Sequence, residues 1–436
     1  MEYILRKYDD YVTKICSPFS NFLIQVICFI VYKIMVDVIY VMYLGKTSGY
    51  GIEISVINIL SGYLAVLLFS YFIVKFCENL AASSLIMIVI NMIYFVPITT
   101  FCGFGLGSSS FLFFSILFWV FLSVFQTFIP CVSLQRGDSS VINKLFYALY
   151  IMMFALTIFI SYKYTGFRII TSLLDVYETR AEAAAYDIPV WMSYVQHFST
   201  IIIPMLILIA LGKKKYLFVI AGCFLLLLNF SFAGHKSVLF MGILLILGHI
   251  FWREEMICMI MPGGIFLGLI GLLEYIFANH AYVISYFFRR QGYDLARLSN
   301  EYYKYFMHNP TEIFRGTFLG KIGFESPYKL PIAKVIGNNY ESQIINCNNG
   351  LLADVWSHLG GVGIVIMPLI LIVCFRLFDL VTDKINSRCF IGLAIYYAVM
   401  FCNTTWSTVL LTHGFLIMCV LFFLFPRERE GKCEKK

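Results

Sequence analysis

The sequence predicts an all-α, polytopic membrane protein with about twelve transmembrane helices, and three observations carry that prediction. Of its 436 residues, 60% are hydrophobic and only 13% are charged. Mean hydropathy is +0.84, far above the range of a soluble globular domain. The apolar residues also fall into runs of the length a spanning helix needs, roughly 20 residues at 1.5 Å each to cross about 30 Å of hydrocarbon.

Five such runs come first, at 19–43, 54–76, 80–101, 110–134 and 142–162. Four follow at 190–211, 216–233, 237–252 and 256–278, and three more at 350–375, 389–403 and 406–425. The chain is thereby divided into five spans within 1–162, an outer segment 163–189, four spans within 190–278, a second outer segment 279–349, three spans within 350–425 and a tail 426–436. The start "MEYILRKYDDYVTK" lacks the pattern of a cleavable signal, so the first span is expected to be retained as an anchor.

Lys and Arg decide orientation. The stretches "RKYDDYVTK", "QRGDSSVINK", "GKKK", "WREE" and "FRLFDLVTDKINSR", with "RERE" and "GKCEKK" in the tail, fall on one side of this arrangement. That side is expected to be cytoplasmic and to hold both termini. The opposite side carries short turns such as "GFGLGSSS" and the two larger segments, which have more basic residues than the rule asks for. The first holds Lys163, Arg168 and Arg180; the second holds Arg289, Arg290, Arg297, Lys304, Arg315, Lys321, Lys329 and Lys334. They fit a solvated loop with ordinary charges, and they fit an anion site on that face. The stretch "YVISYFFRRQGYDLARLSNEYYKYF" places Arg289 and Arg290 at a membrane boundary, on an aromatic-rich sequence of helical character. Arginine snorkels there, and a pair beside tyrosines also makes a fork for phosphate.

Several chemistries are absent from the sequence. No Gly-rich phosphate loop, HExxH, nucleophile elbow or dinucleotide fingerprint occurs. The 13 cysteines sit mostly inside apolar runs with no CxxC pair, so neither a disulfide nor a cysteine metal site is expected. No carboxylate and histidine cluster at ligand spacing occurs in the outer segments, so no metal or other cofactor is expected. The net charge of +7 is scattered among the spans, which argues against nucleic acid as a partner. An aromatic share of 18%, with 43 Phe and 29 Tyr, suits lipid-facing helices with interfacial belts and equally a groove that touches sugar rings.

Four stretches in order, "LLDVYETRAEAAAYDIPVWMSY", "FSFAGHKSVLF", "FFRRQGYDLARLSNEYYKYF" and "NCNNGLLADVWSHLGGVGIVIM", resemble the pattern of the bacterial oligosaccharide repeat-unit polymerases, the Wzy-type O-antigen polymerases. The resemblance covers roughly residues 160–375; the first five spans match only as apolar helices. It implies a GT-C-like fold in the bacterial inner membrane and a glycosyltransferase reaction at the periplasmic face. The implied substrate is an undecaprenyl-pyrophosphate-linked oligosaccharide, joined into O-antigen or capsular polysaccharide. Membrane lipids and the pathway's chain-length regulator and flippase are the implied partners.

The resemblance also assigns residues. The family's arginine after the FF pair falls on Arg289 or Arg290, and that of its "DVYExR" on Arg180, preceded by Asp175, Tyr177 and Glu178. Lys236 in "GHKS" stands at its short basic motif. Breaking the bond between sugar C1 and a lipid pyrophosphate develops anionic charge, which a permanently charged planar guanidinium suits. The plainer readings are that Arg180 pairs with Asp175 or Glu178 and that Lys236 anchors a helix end. The acceptor hydroxyl needs a proton acceptor, for which Asp354, His358, Glu178 and His280 are candidates. Asp354 and His358, four apart, share a face if 350–375 is helical from its start. They fit equally a carboxylate favouring the helix N-terminus and a packed imidazole. Asn348, Asn349 and Gly350 lead into this span, and Gly360, Gly361 and Gly363 are expected to allow close helix packing. The related O-antigen ligases carry His-Asn where this chain has Asn348 and Asn349, which counts against a ligase. A lipid-linked oligosaccharide flippase would carry charges inside its spans, and here those are mainly Lys33, Asp37 and Glu274.

Overall fold

Asn21 starts the first long apolar helix, Phe22–Met42, because its side-chain oxygen accepts the backbone N–H groups of Leu23 (2.9 Å) and Ile24 (3.4 Å). Ser55 and Ser108 cap Val56–Cys77 and Ser109–Phe128 in the same way. The computed structural model describes residues 2–47, 50–133, 139–170, 176–234, 236–316, 320–341 and 345–426, and among them there is no strand. Ten helices among the described residues are long and apolar enough to cross a membrane: Phe22–Lys46, Val56–Cys77, Ala82–Gly103, Ser109–Phe128, Ser140–Thr165, Val190–Gly212, Tyr216–Ala233, Glu254–Ala278, Leu352–Thr382 and Trp406–Leu424. The two remaining predicted runs, the eighth and eleventh, form the shorter apolar helices Val238–Phe251 and Ile391–Asn403. The protein is an all-α, multi-pass membrane protein.

The chain forms two compact units. The first comprises Met1–Pro130, Arg253–Arg376 and Tyr397–Ser407; the second comprises Cys131–Trp252, Leu377–Tyr396 and Thr408–Lys436.

The first unit is built around Ala82–Gly103, 89% of whose most apolar window is buried in protein. Phe22–Met42 packs against Val56–Cys77 and against Glu254–Ala278. Bare backbone makes the second contact close, since a Cβ at Gly264 would lie 2.9 Å from Tyr32 Cε2 and one at Gly268 would lie 2.5 Å from Met35 Cγ. The two charges on Phe22–Met42 are paired: Lys33 Nζ donates to Asp37 and to Thr100 Oγ1 (2.9 Å), while Tyr63 OH donates to Asp37 Oδ2 (2.7 Å). Arg376 closes the C-terminal end of Ser109–Phe128 by donating to the carbonyls of Ile129 (2.9 Å) and Gln126.

The long segment between the ninth and tenth predicted runs, 279–349, includes a packed helix. Glu274 accepts the N–H groups of Tyr282 (3.1 Å) and Val283 (2.9 Å), and a π-helix, Ile284–Tyr293, then runs directly into an α-helix, Asp294–Phe306. Leu295, Ala296, Ser299, Tyr302 and Phe306 are buried in the unit. Of the glycines of the following span, Gly360 and Gly361 do not serve helix packing as expected. Gly361 faces open space, and Gly360, at φ +60°, ends the π-helix Val355–Leu359 by adopting a conformation that L side chains resist.

In the second unit Val190–Gly212 packs against Tyr216–Ala233 and Lys236–Phe251. A buried polar cluster joins the first two, with Gln196 donating to Asn229 Oδ1 and Asn229 Nδ2 donating to Ser199 Oγ (2.7 Å). Gly234, at φ +63°, stops Tyr216–Ala233 and donates its N–H to Phe230 (2.8 Å). The outer segment of this unit carries the helix Val176–Ala185, tied to the preceding stretch of chain by Arg168 and Glu182.

Removing one member of a buried ion pair strands the other charge. Lys33→Met should therefore lower the stability of the detergent-solubilised protein by about 3–5 kcal/mol. The double variant Lys33→Met, Asp37→Leu should recover much of the loss in a thermal unfolding assay. Equal stability of Lys33→Met and the parent would refute the pairing.

Candidate functional site

The first unit holds Arg289, Arg290, Asn348, Asn349, Asp354 and His358, and the second holds Arg180, Tyr177, Glu178 and Lys236.

Arg289 and Arg290 both lie on the π-helix Ile284–Tyr293, exposed beside Tyr286 and Phe287, while Phe288 and Tyr293 turn inward. Gly292 brings this helix close to its neighbour, because a Cβ there would sit 3.0 Å from Pro97 Cγ. The two arginines differ in their surroundings. Arg289 Nε is 3.7 Å from Asp294 Oδ2, and Asp294 also accepts the Tyr50 hydroxyl at 2.5 Å. Burial, followed by the Asp294 charge, pushes the Tyr50 hydroxyl well above its ordinary range, so it is the donor. Arg297 is held between the Tyr50 ring (5.3 Å) and the Tyr340 ring (4.5 Å). Arg290 has no hydrogen bond or ion pair among the described residues, so its charge is the uncompensated one of the pair.

Asn348 is exposed and Asn349 is buried. The Asn349 amide donates to the Leu295 carbonyl (3.0 Å) and Ser299 Oγ (2.9 Å), and its oxygen accepts Gly350 N–H (2.9 Å). That fastens the start of the next span, where Leu351 takes φ +49°. Asp354 and His358 come next, both buried, and His358 Nε2 is 3.9 Å from Asp354 Oδ1. Asp354 is fixed from its other oxygen, which accepts the Trp406 N–H at 2.8 Å.

A residue that the sequence does not single out completes this row. Glu312, buried in the turn after Pro310, donates its N–H to the Ser357 carbonyl (2.7 Å) and brings its Oε2 within 3.5 Å of His358 Nδ1. Phe314 N–H points at the same nitrogen (3.3 Å), and the Phe314 ring stacks on the imidazole at 4.3 Å. Nδ1 is therefore the acceptor nitrogen, and the ring proton sits on Nε2, facing Asp354. Burial pushes the Glu312 carboxyl up, against a smaller lowering by the Ser326 hydroxyl. Among the described residues no group of three or more His, Cys, Asp or Glu is disposed to hold a metal ion, so these three form a row rather than a cage.

This turn is strained. Ile313 and Phe314 stand consecutively at φ +52° and +58°, a region that costs a non-glycine residue about 1–3 kcal/mol. His358 Nε2 and Asp354 Oδ1 are buried without a hydrogen-bond partner among the described residues. The sequence marks the turn through Asn309 and Pro310, but nothing local links Glu312 to a histidine 46 positions on.

In the second unit a cavity of about 350 Å³ is lined by Arg180, Ser193, Gln196, His197, Thr200, Ile188 and Phe232, together with Ala183 and Ala233. Arg180 Nε donates to the Gly234 carbonyl (3.0 Å), which aims the guanidinium from the helix Val176–Ala185. His197 Nε2 is 2.8 Å from the Thr412 carbonyl, and Tyr186 stacks on Phe232 at 5.6 Å. Glu178 is exposed on the same helix as Arg180. Asp175 and the side chains of Tyr177 and Lys236 lie outside the described residues. His280 is exposed, with its ring 5.3 Å from that of Tyr282.

No protein-family model matches the chain, and no curated protein or solved structure matches it either.

Arg290→Ala should weaken binding of inorganic pyrophosphate, measured by calorimetry in nanodiscs, by roughly tenfold or more. Arg289→Ala should cost less, because Asp294 already offsets that charge. The reverse order would remove the distinction drawn between them. Glu312 supplies a pH dependence. Its carboxyl binds a proton more tightly folded than unfolded, so stability should fall as pH rises from the ordinary glutamate range through its raised folded value. Glu312→Gln should flatten that fall in thermal unfolding scans, and an unchanged slope would count against it.

Proposed function

We propose that the protein is a glycosyltransferase that polymerises undecaprenyl-pyrophosphate-linked oligosaccharide repeat units into O-antigen or capsular polysaccharide. In this reading it sits in the bacterial inner membrane with both termini cytoplasmic, and 163–189 and 279–349 face the periplasm. The observation that carries it is the Arg180 cavity. A guanidinium held in place by a backbone carbonyl stands with Ser193, Gln196, His197 and Thr200, which match sugar hydroxyls, and with Phe232, which matches a sugar ring face. A volume of about 350 Å³ falls in the range of small-ligand sites.

The reaction supports the presence of more than one anion-binding group. Donor and acceptor each carry a lipid pyrophosphate, and each unit offers an exposed arginine, Arg290 in the first and Arg180 in the second. The sugar C1–O bond to the donor pyrophosphate breaks as the acceptor oxygen bonds to C1. The pyrophosphate leaves with the electron pair, and arginine stabilises the charge it gains. The charges inside the spans speak against a flippase. Lys33, Asp37 and Glu274 each find their partners within the first unit.

The test is an electrophoretic ladder of surface polysaccharide from a deletion strain carrying the gene or its variants. Single-repeat caps without the gene would support a polymerase. Loss of all capping would indicate a ligase instead, and loss of periplasmic repeat units a flippase. Among the variants, Arg180→Ala should lower polymer yield by about a hundredfold at normal membrane abundance, and lysine should rescue in part.

A further inference from the structure

We propose that the turn at residues 311–315 is a strap closed over a latent general base, His358, and that Asp354 is the residue that positions it. The proposal deepens the reading above and rests on it for the identity of the proton donor, the hydroxyl of an acceptor sugar.

The geometry has the parts of a base that is assembled but blocked. Asp354 is immobilised by the Trp406 N–H and presents its other oxygen to His358 Nε2 at 3.9 Å. That leaves the basic lone pair on Nδ1. The strap covers it: Phe314 N–H points at Nδ1 at 3.3 Å, the Glu312 carboxyl lies 3.5 Å away, and the Phe314 ring stacks on the imidazole face at 4.3 Å. An imidazole kept only for packing needs no such cover on its acceptor nitrogen.

The strap is built to move. Its backbone crosses two consecutive left-handed residues that are not glycine, one of them β-branched, so the closed form stores strain that opening releases. Its shape is braced from within, since Arg315 donates to the carbonyls of Glu312 (2.8 Å) and Thr311 (3.0 Å). Opening breaks the Glu312 N–H bond to the Ser357 carbonyl (2.7 Å), the Phe314 contacts with His358 and the Trp406 ring (5.8 Å), and the Ser326 hydroxyl bond to Glu312 (3.1 Å).

When the strap lifts, Nδ1 accepts the proton of the acceptor hydroxyl as that oxygen bonds to the donor sugar C1. The C1–O bond to pyrophosphate breaks, and the pyrophosphate departs with the electron pair. The imidazolium is stabilised by Asp354 and returns its proton to solvent before the strap closes. Closure between turnovers keeps water from Nδ1 and so protects the glycosyl donor from hydrolysis.

The experiment reads the strap without any glycan. The full chain in nanodiscs is treated with diethyl pyrocarbonate, and modification of each histidine is followed by mass spectrometry, with the exposed His280 and His308 as internal references. His358 should react far more slowly than either. Phe314→Ala removes the stack and should speed its modification about tenfold. Ile313→Gly relieves the strain at φ +52° and should slow it, a change of opposite sign that unfolding does not produce. In the ladder assay His358→Ala should lose polymer at normal abundance, and Asp354→Asn should lower kcat with KM unchanged, as a positioning role requires. Modification of His358 as fast as His280 in the parent chain, equal rates in both strap variants, or full turnover by His358→Ala would overturn the proposal. A chain whose His358 responds as described but which makes no polymer would refute the polymerase reading and leave the strap standing.

Discussion

One buried hydroxyl holds the first unit in register. Tyr94 OH lies 2.6 Å from Ser299 Oγ, donates to the Gly350 carbonyl (3.0 Å) and accepts the Leu352 N–H (3.2 Å). It thus joins the central spanning helix, the helix after the arginine pair, and the turn that leads to Asp354 and His358. In hydrocarbon no water can replace these bonds, so each backbone group freed by a turn must find an internal partner. The turn at Gly350 and Leu351 frees several. Tyr94 and Asn349 take them up, and the placement of the buried row is a consequence.

Spanning helices could be read from the sequence because their signal is local. Twelve runs were expected and twelve apolar helices are present among the described residues, ten of spanning length, since hydropathy over some 20 residues depends little on tertiary context. The helix Asp294–Phe306 illustrates the opposite case. Its buried face is made of Ser299, Asn300, Tyr302 and Tyr303 as well as Leu295 and Phe306, so hydropathy reads it as polar although it is core. Arg289, Arg290, Asp354 and His358 could be singled out as candidates from residue type and spacing. Glu312 was not, because a single carboxylate in an irregular turn gains meaning only from the imidazole the fold brings beside it.

The π-helical stretches add a further layer the sequence conceals. Of the four among the described residues, Asn91–Phe95, Ile284–Tyr293 and Val355–Leu359 carry Tyr94, the arginine pair and His358 respectively, while Ser161–Thr165 carries no candidate site residue. A π turn inserts a residue into a helix and rotates every later residue about the axis, and such turns concentrate at functional positions. Four-residue spacing alone would set Asp354 and His358 on one helical face; the wider turn leaves them 3.9 Å apart with the acceptor nitrogen turned toward Glu312.

The aromatic share has a cause beyond lipid belts or sugar contacts. Tyr32 donates to the Met92 carbonyl (3.3 Å), Tyr40 to Gly51 (2.7 Å), Tyr293 to Val36 and Tyr302 to Cys347 (3.0 Å), all within the first unit. In the second, Tyr150 donates to Phe218 (2.6 Å). Each hydroxyl reaches a main-chain oxygen on another segment, so the rings fill space between helices while their tips specify which carbonyl they meet. Phenylalanine in these places would preserve the apolar volume and lose the register. A membrane protein whose interior offers no hydrophobic preference for protein over lipid needs such directional contacts to select one packing among many. Tyrosine provides them without burying a charge.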